Sequence, residues 1–121
     1  MGTVAVTFGR WYEIDTDQRM RTGTITMSST YANSGTASNS GDTIADADIL
    51  KLMPTPNDLT RADKFLLFAS ASGHTAYVDR THKKIRVLLG GTEVANNTNL
   101  SSVTFDYVLI YEDTHWIDDN H

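Results

Sequence analysis

The segment from Ser102 to Tyr111 constrains the fold more than any other stretch of this chain. Val103, Phe105, Tyr107, Leu109 and Tyr111 alternate with Thr104, Asp106, Val108 and Ile110. Successive side chains of a strand point to opposite faces, so this period of two predicts a β-strand with one buried, aromatic-rich face. A strand of that kind needs a second apolar layer to cover it.

The rest of the chain supplies strands more readily than helices. Thr3–Phe8 alternates Thr/Ala/Thr against Val/Val/Phe, and Arg10–Ile14 continues it after a kink at Gly9. Arg21–Ser28 repeats the pattern, with Ile25 and Met27 on one side. Asp15–Gln18 between these segments has turn chemistry. Lys64–Ala69 is almost continuously apolar, which predicts a strand covered on both faces. His74–Asp79 and Lys84–Leu89 flank Arg80–Lys83 as a hairpin, with Ile85, Val87 and Leu89 on one face.

Only Asp46–Met53 reads as helical. Asp46 is expected to cap it, Pro54 to stop it, and Ile49, Leu50 and Leu52 to plug one end of the core. The predicted fold is therefore all-β: an antiparallel β-sandwich or a jelly-roll-like barrel with one short helical turn. At 121 residues the chain forms a single domain, 1–121. It carries a polar loop or arm at 28–43 and a C-terminal tail at 112–121. The 28–43 stretch is built from Ser, Thr, Asn, Gly and Ala around Tyr31, and is expected to bury little.

Composition removes several chemistries. There is no cysteine, so disulfides, zinc–thiolate sites and thiol nucleophiles are excluded. The net charge of −5 argues against nucleic-acid binding. The basic cluster Arg80, His82, Lys83, Lys84 and Arg86 reads as the solvated rim of a hairpin. No apolar run reaches the ~20 residues that span a membrane, and the first residues lack the pattern of a secretion signal.

Asp15/Asp17 and Asp46/Asp48 fall short of a calcium loop, and His115 with Asp113, Asp118, Asp119 and His121 reads as tail. No serine sits in a nucleophile-elbow pattern, and Gly90–Gly91 is a hairpin dipeptide, not a phosphate cradle. No cofactor and no catalysis are expected. Asn96–Thr98 and Asn99–Ser101 match the glycosylation pattern, but the absence of a signal argues against its use. The segment Asn96–Ser102 reads instead as a crossover in which asparagines make tight turns and Leu100 is an apolar plug.

Aromatic residues divide into two groups. Phe105, Tyr107 and Tyr111 share a face with aliphatic residues and read as core. Trp11, Tyr12, Tyr31 and Trp116 are the candidates for contact with a partner protein.

The hairpin Tyr77-Val78-Asp79…Lys83–Val87, the glycine turn, the run Glu93–Ser102 and the terminal strand together resemble a group of small virion proteins of tailed bacteriophages. So do Arg19-Met20-Arg21, Ser28–Tyr31 and Ala47-Asp48-Ile49. The resemblance covers most of the chain and rests on β patterning. It departs from the group in the long loop at 32–43 and in the tail after Tyr111. Members are similar to capsid decoration, or cement, proteins.

That resemblance implies synthesis in the host cytoplasm, a place on the outer capsid surface, the major capsid protein as partner, and a homo-oligomer, most simply a trimer. A carbohydrate-binding or host-adhesion module and a tail or head–tail connector component are the alternatives.

Overall fold

In the computed structural model the fold is a sandwich of two antiparallel sheets. The described residues are 2–14, 17–54, 57–68, 70 and 72–112. The strands are β1 (Ala5–Val6), β2 (Trp11–Glu13), β3 (Gln18–Thr26), β4 (Asp42–Thr43), β5 (Ala62–Leu67), β6 (Thr75–Asp79), β7 (Lys84–Leu89), β8 (Thr92–Glu93) and β9 (Thr104–Glu112). The five-stranded sheet runs β1-β3-β9-β5, with β2 also paired to β3; the four-stranded sheet runs β4-β7-β6, with β8 paired to β7.

The alternating terminal segment becomes β9, at the centre of the larger sheet between β3 and β5. Phe105, Tyr107, Leu109 and Tyr111 face the core, while Thr104, Asp106 and Glu112 face out. Ile25 from β3, Ile85 and Val87 from β7, and Phe65 from β5 pack against them. Each such side chain taken from water contributes about 1.5–3 kcal/mol.

Gly23 permits one close approach. A Cβ there would lie 2.2 Å from the Thr7 carbonyl oxygen and 2.8 Å from the Tyr107 ring. Without it, the Tyr107 hydroxyl donates to that carbonyl at 2.9 Å. Burial pushes the same hydroxyl up to about 12.

The helix α1 (Asp46–Leu52) and Met53 close one end of the sandwich with Ile49, Leu52 and Met53. Two sequence expectations need correction here. The N-cap is Ala45, with no side-chain cap, so Asp46 and Asp48 sit in the first turn, where carboxylates favour the helix dipole. Leu50 is exposed and is no part of the plug, because it lies on the opposite side of the helix from Ile49 and Leu52.

The polar stretch 28–43 is not the loose arm that its composition predicts. Tyr31, Ala32, Ser40 and Asp42 are all buried. The Ser28 N–H donates to Asp42 Oδ2 at 2.8 Å, and the Gly41 N–H to the Ala32 carbonyl at 2.7 Å. The segment contains a short 3-10 turn, Ala37–Asn39, and ends in β4. Backbone and side-chain hydrogen bonds do here what apolar area does elsewhere.

The crossover from β8 to β9 packs on this segment. The Tyr31 N–H donates to the Thr98 carbonyl at 3.1 Å, the Asn97 N–H returns to the Tyr31 carbonyl at 2.7 Å, and the Leu100 N–H reaches the Ser28 carbonyl at 2.9 Å. Asn97 adopts a left-handed φ of 65° and Leu100 is buried. Asn96–Ser102 is thus the structured connection expected of it, carrying the chain from the smaller sheet to the larger.

The apolar run at 64–68 also departs from expectation, in the opposite sense. β5 is an edge strand of the larger sheet. Its inner residues Ala62 and Phe65 are buried, yet Leu66 is 49% exposed and the following Phe68 is 50% exposed. Only one of its faces is covered.

Candidate functional site

Antiparallel partners point to the same side of a sheet, so the register assigns each residue to a face. On the outer side of the larger sheet, Thr22, Val108 and Leu66 form one row. Tyr12, Met20, Ile110 and Lys64 form the next. Thr24 and Asp106 form a third, and the Phe68 N–H donates to the Asp106 carbonyl at 2.9 Å. The result is a contiguous face of apolar side chains, bounded by Lys64 and Asp106. A shallow groove of about 510 Å³ runs along Thr22, Thr24, Phe68, Asp106 and Val108.

The outer side of the smaller sheet has a different character. Asp79 Oδ2 accepts from Arg86 Nη2 at 2.7 Å and pairs with His82 Nδ1 at 2.9 Å. Burial acts to raise the Asp79 carboxyl, but the His82 ring and backbone N–H, with the charges of His82 and Arg86, outweigh it and hold the carboxyl below its ordinary value. Lys84 Nζ donates to Thr43 Oγ1 at 2.7 Å, Lys83 pairs with Asp46 at 3.1 Å, and Arg80 Nη1 donates to the Ala62 carbonyl. The basic cluster is therefore a solvated rim only in part, at Lys83. Lys84 is buried, and each cation of the group has a partner within the chain.

The four aromatic candidates part company. Tyr12 is 41% exposed on the outer apolar face, opposite Met20. Trp11, its neighbour, points to the other side of the sheet opposite Arg21, and is 54% exposed beyond the end of the core. The Arg19 guanidinium lies over its ring at 5.6 Å from the centroid.

Tyr31 is a correction: it is wholly buried and offers nothing to a partner. Its hydroxyl donates to Glu93 Oε2 at 2.7 Å and accepts from the Val87 N–H at 3.0 Å. Burial, reinforced by the Glu93 carboxylate, raises this hydroxyl above its ordinary value, so it stays a donor. Its position is explained by the neighbouring strands β7 and β8, which supply a backbone donor and a carboxylate acceptor inside the sandwich. Trp116 lies outside the described residues.

Leu66 and Phe68 were missed as surface residues. Their spacing, alternating with Phe65 and Leu67, already placed them on one face, but the unbroken apolar run concealed that alternation. Among the described residues no group of three or more His, Asp or Glu side chains is placed to hold a metal ion, and no helix is long and apolar enough to cross a membrane. No family model, curated protein or solved structure matches this chain.

Proposed function

We propose that this chain is a structural virion protein, a capsid decoration protein that binds the outer surface of a phage head and staples neighbouring capsomers. The observation that carries the reading is the outer face of the larger sheet, where Tyr12, Leu66 and Phe68 stand exposed beside Met20, Val108 and Ile110. A contiguous apolar face rimmed by polar groups marks a protein contact. The resemblance to small tailed-phage virion proteins supplies the kind of partner, the major capsid protein, and a homotrimer as the expected assembly.

Such a protein acts by interface burial and needs no reacting group. Repeated sites on a shell raise the effective concentration of each contact, so modest single-site affinity suffices when subunits are linked. The glycan-binding alternative is less well supported, because Trp11 and Tyr12 lie on opposite faces of one sheet and Tyr77 belongs to the other. These residues form no common aromatic platform.

The test is co-sedimentation with empty shells assembled from the major capsid protein of the same phage. Leu66→Ser with Phe68→Ser should lower occupancy by about tenfold or more, as expected where central apolar contacts are lost. Saturable binding that survives both substitutions removes this face from the account. A lack of any binding by the unaltered protein removes the decoration reading.

A further inference from the structure

On the inner side of the larger sheet, beyond the end of the core, Trp11, Arg19, Arg21, Pro54 and Tyr111 line a cup of about 260 Å³. Trp11 pairs with Arg21 across β2 and β3, and Glu13 with Arg19. Arg19 and Arg21 are two residues apart on one strand, so both guanidinium groups rise from the same face. Tyr111, opposite Arg19, is buried beneath them.

Arg19 is held by the Trp11 ring and by Glu13, whose Oε1 is 3.8 Å from Nη1, too long for a hydrogen bond. Arg21 is different. Its Nε is buried and makes no hydrogen bond among the described residues. A buried guanidinium donor without an acceptor is uncommon, since leaving such a group unpaired is costly.

We propose that this cup binds a carboxylate carried by an acidic segment of the partner protein. A guanidinium presents Nε and Nη donors in a planar fork that matches the two oxygens of a carboxylate. Arg21, which lines the cup, would take the oxygens through its two Nη groups, since its Nε is sealed from solvent. Arg19 adds positive charge at its side, and the Trp11 ring covers the apolar stem of the incoming side chain. The volume accommodates one acidic side chain. The cup is a local basic feature on a chain of net charge −5. The proposal rests on the decoration reading for the identity of the partner, not for the chemistry of the site.

The experiment uses the full chain and no shell, so that its outcome is separate from that of the decoration reading. A capped tripeptide with a central glutamate is titrated while the Arg21 Nε–Hε resonance is followed by NMR. A saturable shift is expected, with none from the glutamine counterpart, and Arg21→Gln should weaken the peptide's effect on the Trp11 indole resonance at least about tenfold. The amide spectrum reports whether that variant is folded; Trp11→Ala, at an exposed position, gives the same reading of affinity if it is not. No saturable shift, an equal response to the glutamine peptide, undiminished binding by both variants, or displacement of the peptide by an equal concentration of inorganic phosphate would each overturn the proposal.

Discussion

The polar segment 28–43 and the apolar segment 64–68 each place residues where their compositions do not predict. The first, nearly all Ser, Thr, Asn, Gly and Ala, contributes Tyr31, Ala32, Ser40 and Asp42 to the interior. The second, Lys64-Phe65-Leu66-Leu67-Phe68, leaves Leu66 and Phe68 facing water. The difference lies in topology. Residues 28–43 lead from β3 of one sheet to β4 of the other, and must be satisfied by hydrogen bonds where they pass. Residues 64–68 belong largely to β5, a strand of a two-layer sandwich, where only one face meets the second layer. Polarity predicts burial only when the layer opposite is known, and a contiguous apolar patch left outside by the fold points to a contact between molecules.

The largest effect that bears on this comparison is expected at Tyr31. Tyr31→Ala should cost about 3–5 kcal/mol of unfolding free energy, measured in denaturant, because it opens a cavity and strands Val87 N–H and Glu93. A cost near zero would mean that 28–43 is an arm after all. Gly23→Ala should cost about 1–3 kcal/mol, since its Cβ would press on the Thr7 carbonyl and the Tyr107 ring. The same denaturant series measures it, and a neutral result would contradict the packing of β3 against Tyr107.

A smaller effect depends on pH. The Asp79 carboxyl is held below its ordinary value of 3.8. Its ionised form therefore contributes stability that is present above about pH 4 and is lost as pH falls through the lower folded value. Asp79→Asn should be less stable than the unaltered chain near neutrality, and the gap should close in unfolding curves recorded from about pH 5 to about pH 2. A constant gap would show that Asp79 is not held by His82 and Arg86. The smallest effect belongs to the apolar segment: Leu66→Ser should change stability by only about 0.5 kcal/mol, as for an ordinary surface site. A loss several times larger would place Leu66 in the core.

Much of the fold was legible in local pattern. The alternation of Ser102–Tyr111 identified the central strand and its buried face, and the turn residues around Arg80–Lys83 and Asn96–Ser101 marked the hairpin and the crossover. The site was less legible. Tyr12, singled out by its aromatic type, is exposed, but Tyr31, of the same type, is a core residue because β7 and β8 provide partners for its hydroxyl. Nothing in residues 64–68 alone states which face of β5 meets the second sheet; that follows from its register with β9, which sets Phe65 beside buried Leu109 and Leu66 beside Val108 on the outer face. The Arg19–Arg21 cup likewise depends on β2 folding back on β3 to bring the Trp11 ring against the Arg19 guanidinium.

The central claim is that Tyr12 and Phe68 belong to a face left open by the fold and closed by the partner shell. Hydroxyl-radical footprinting of the unaltered protein, free and bound to shells, tests it without any substitution. The account predicts that Tyr12 and Phe68 are oxidised in the free chain and protected on the shell, while Tyr31 is protected in both. Equal oxidation of Tyr12 and Phe68 in the free and the fully bound states would contradict it.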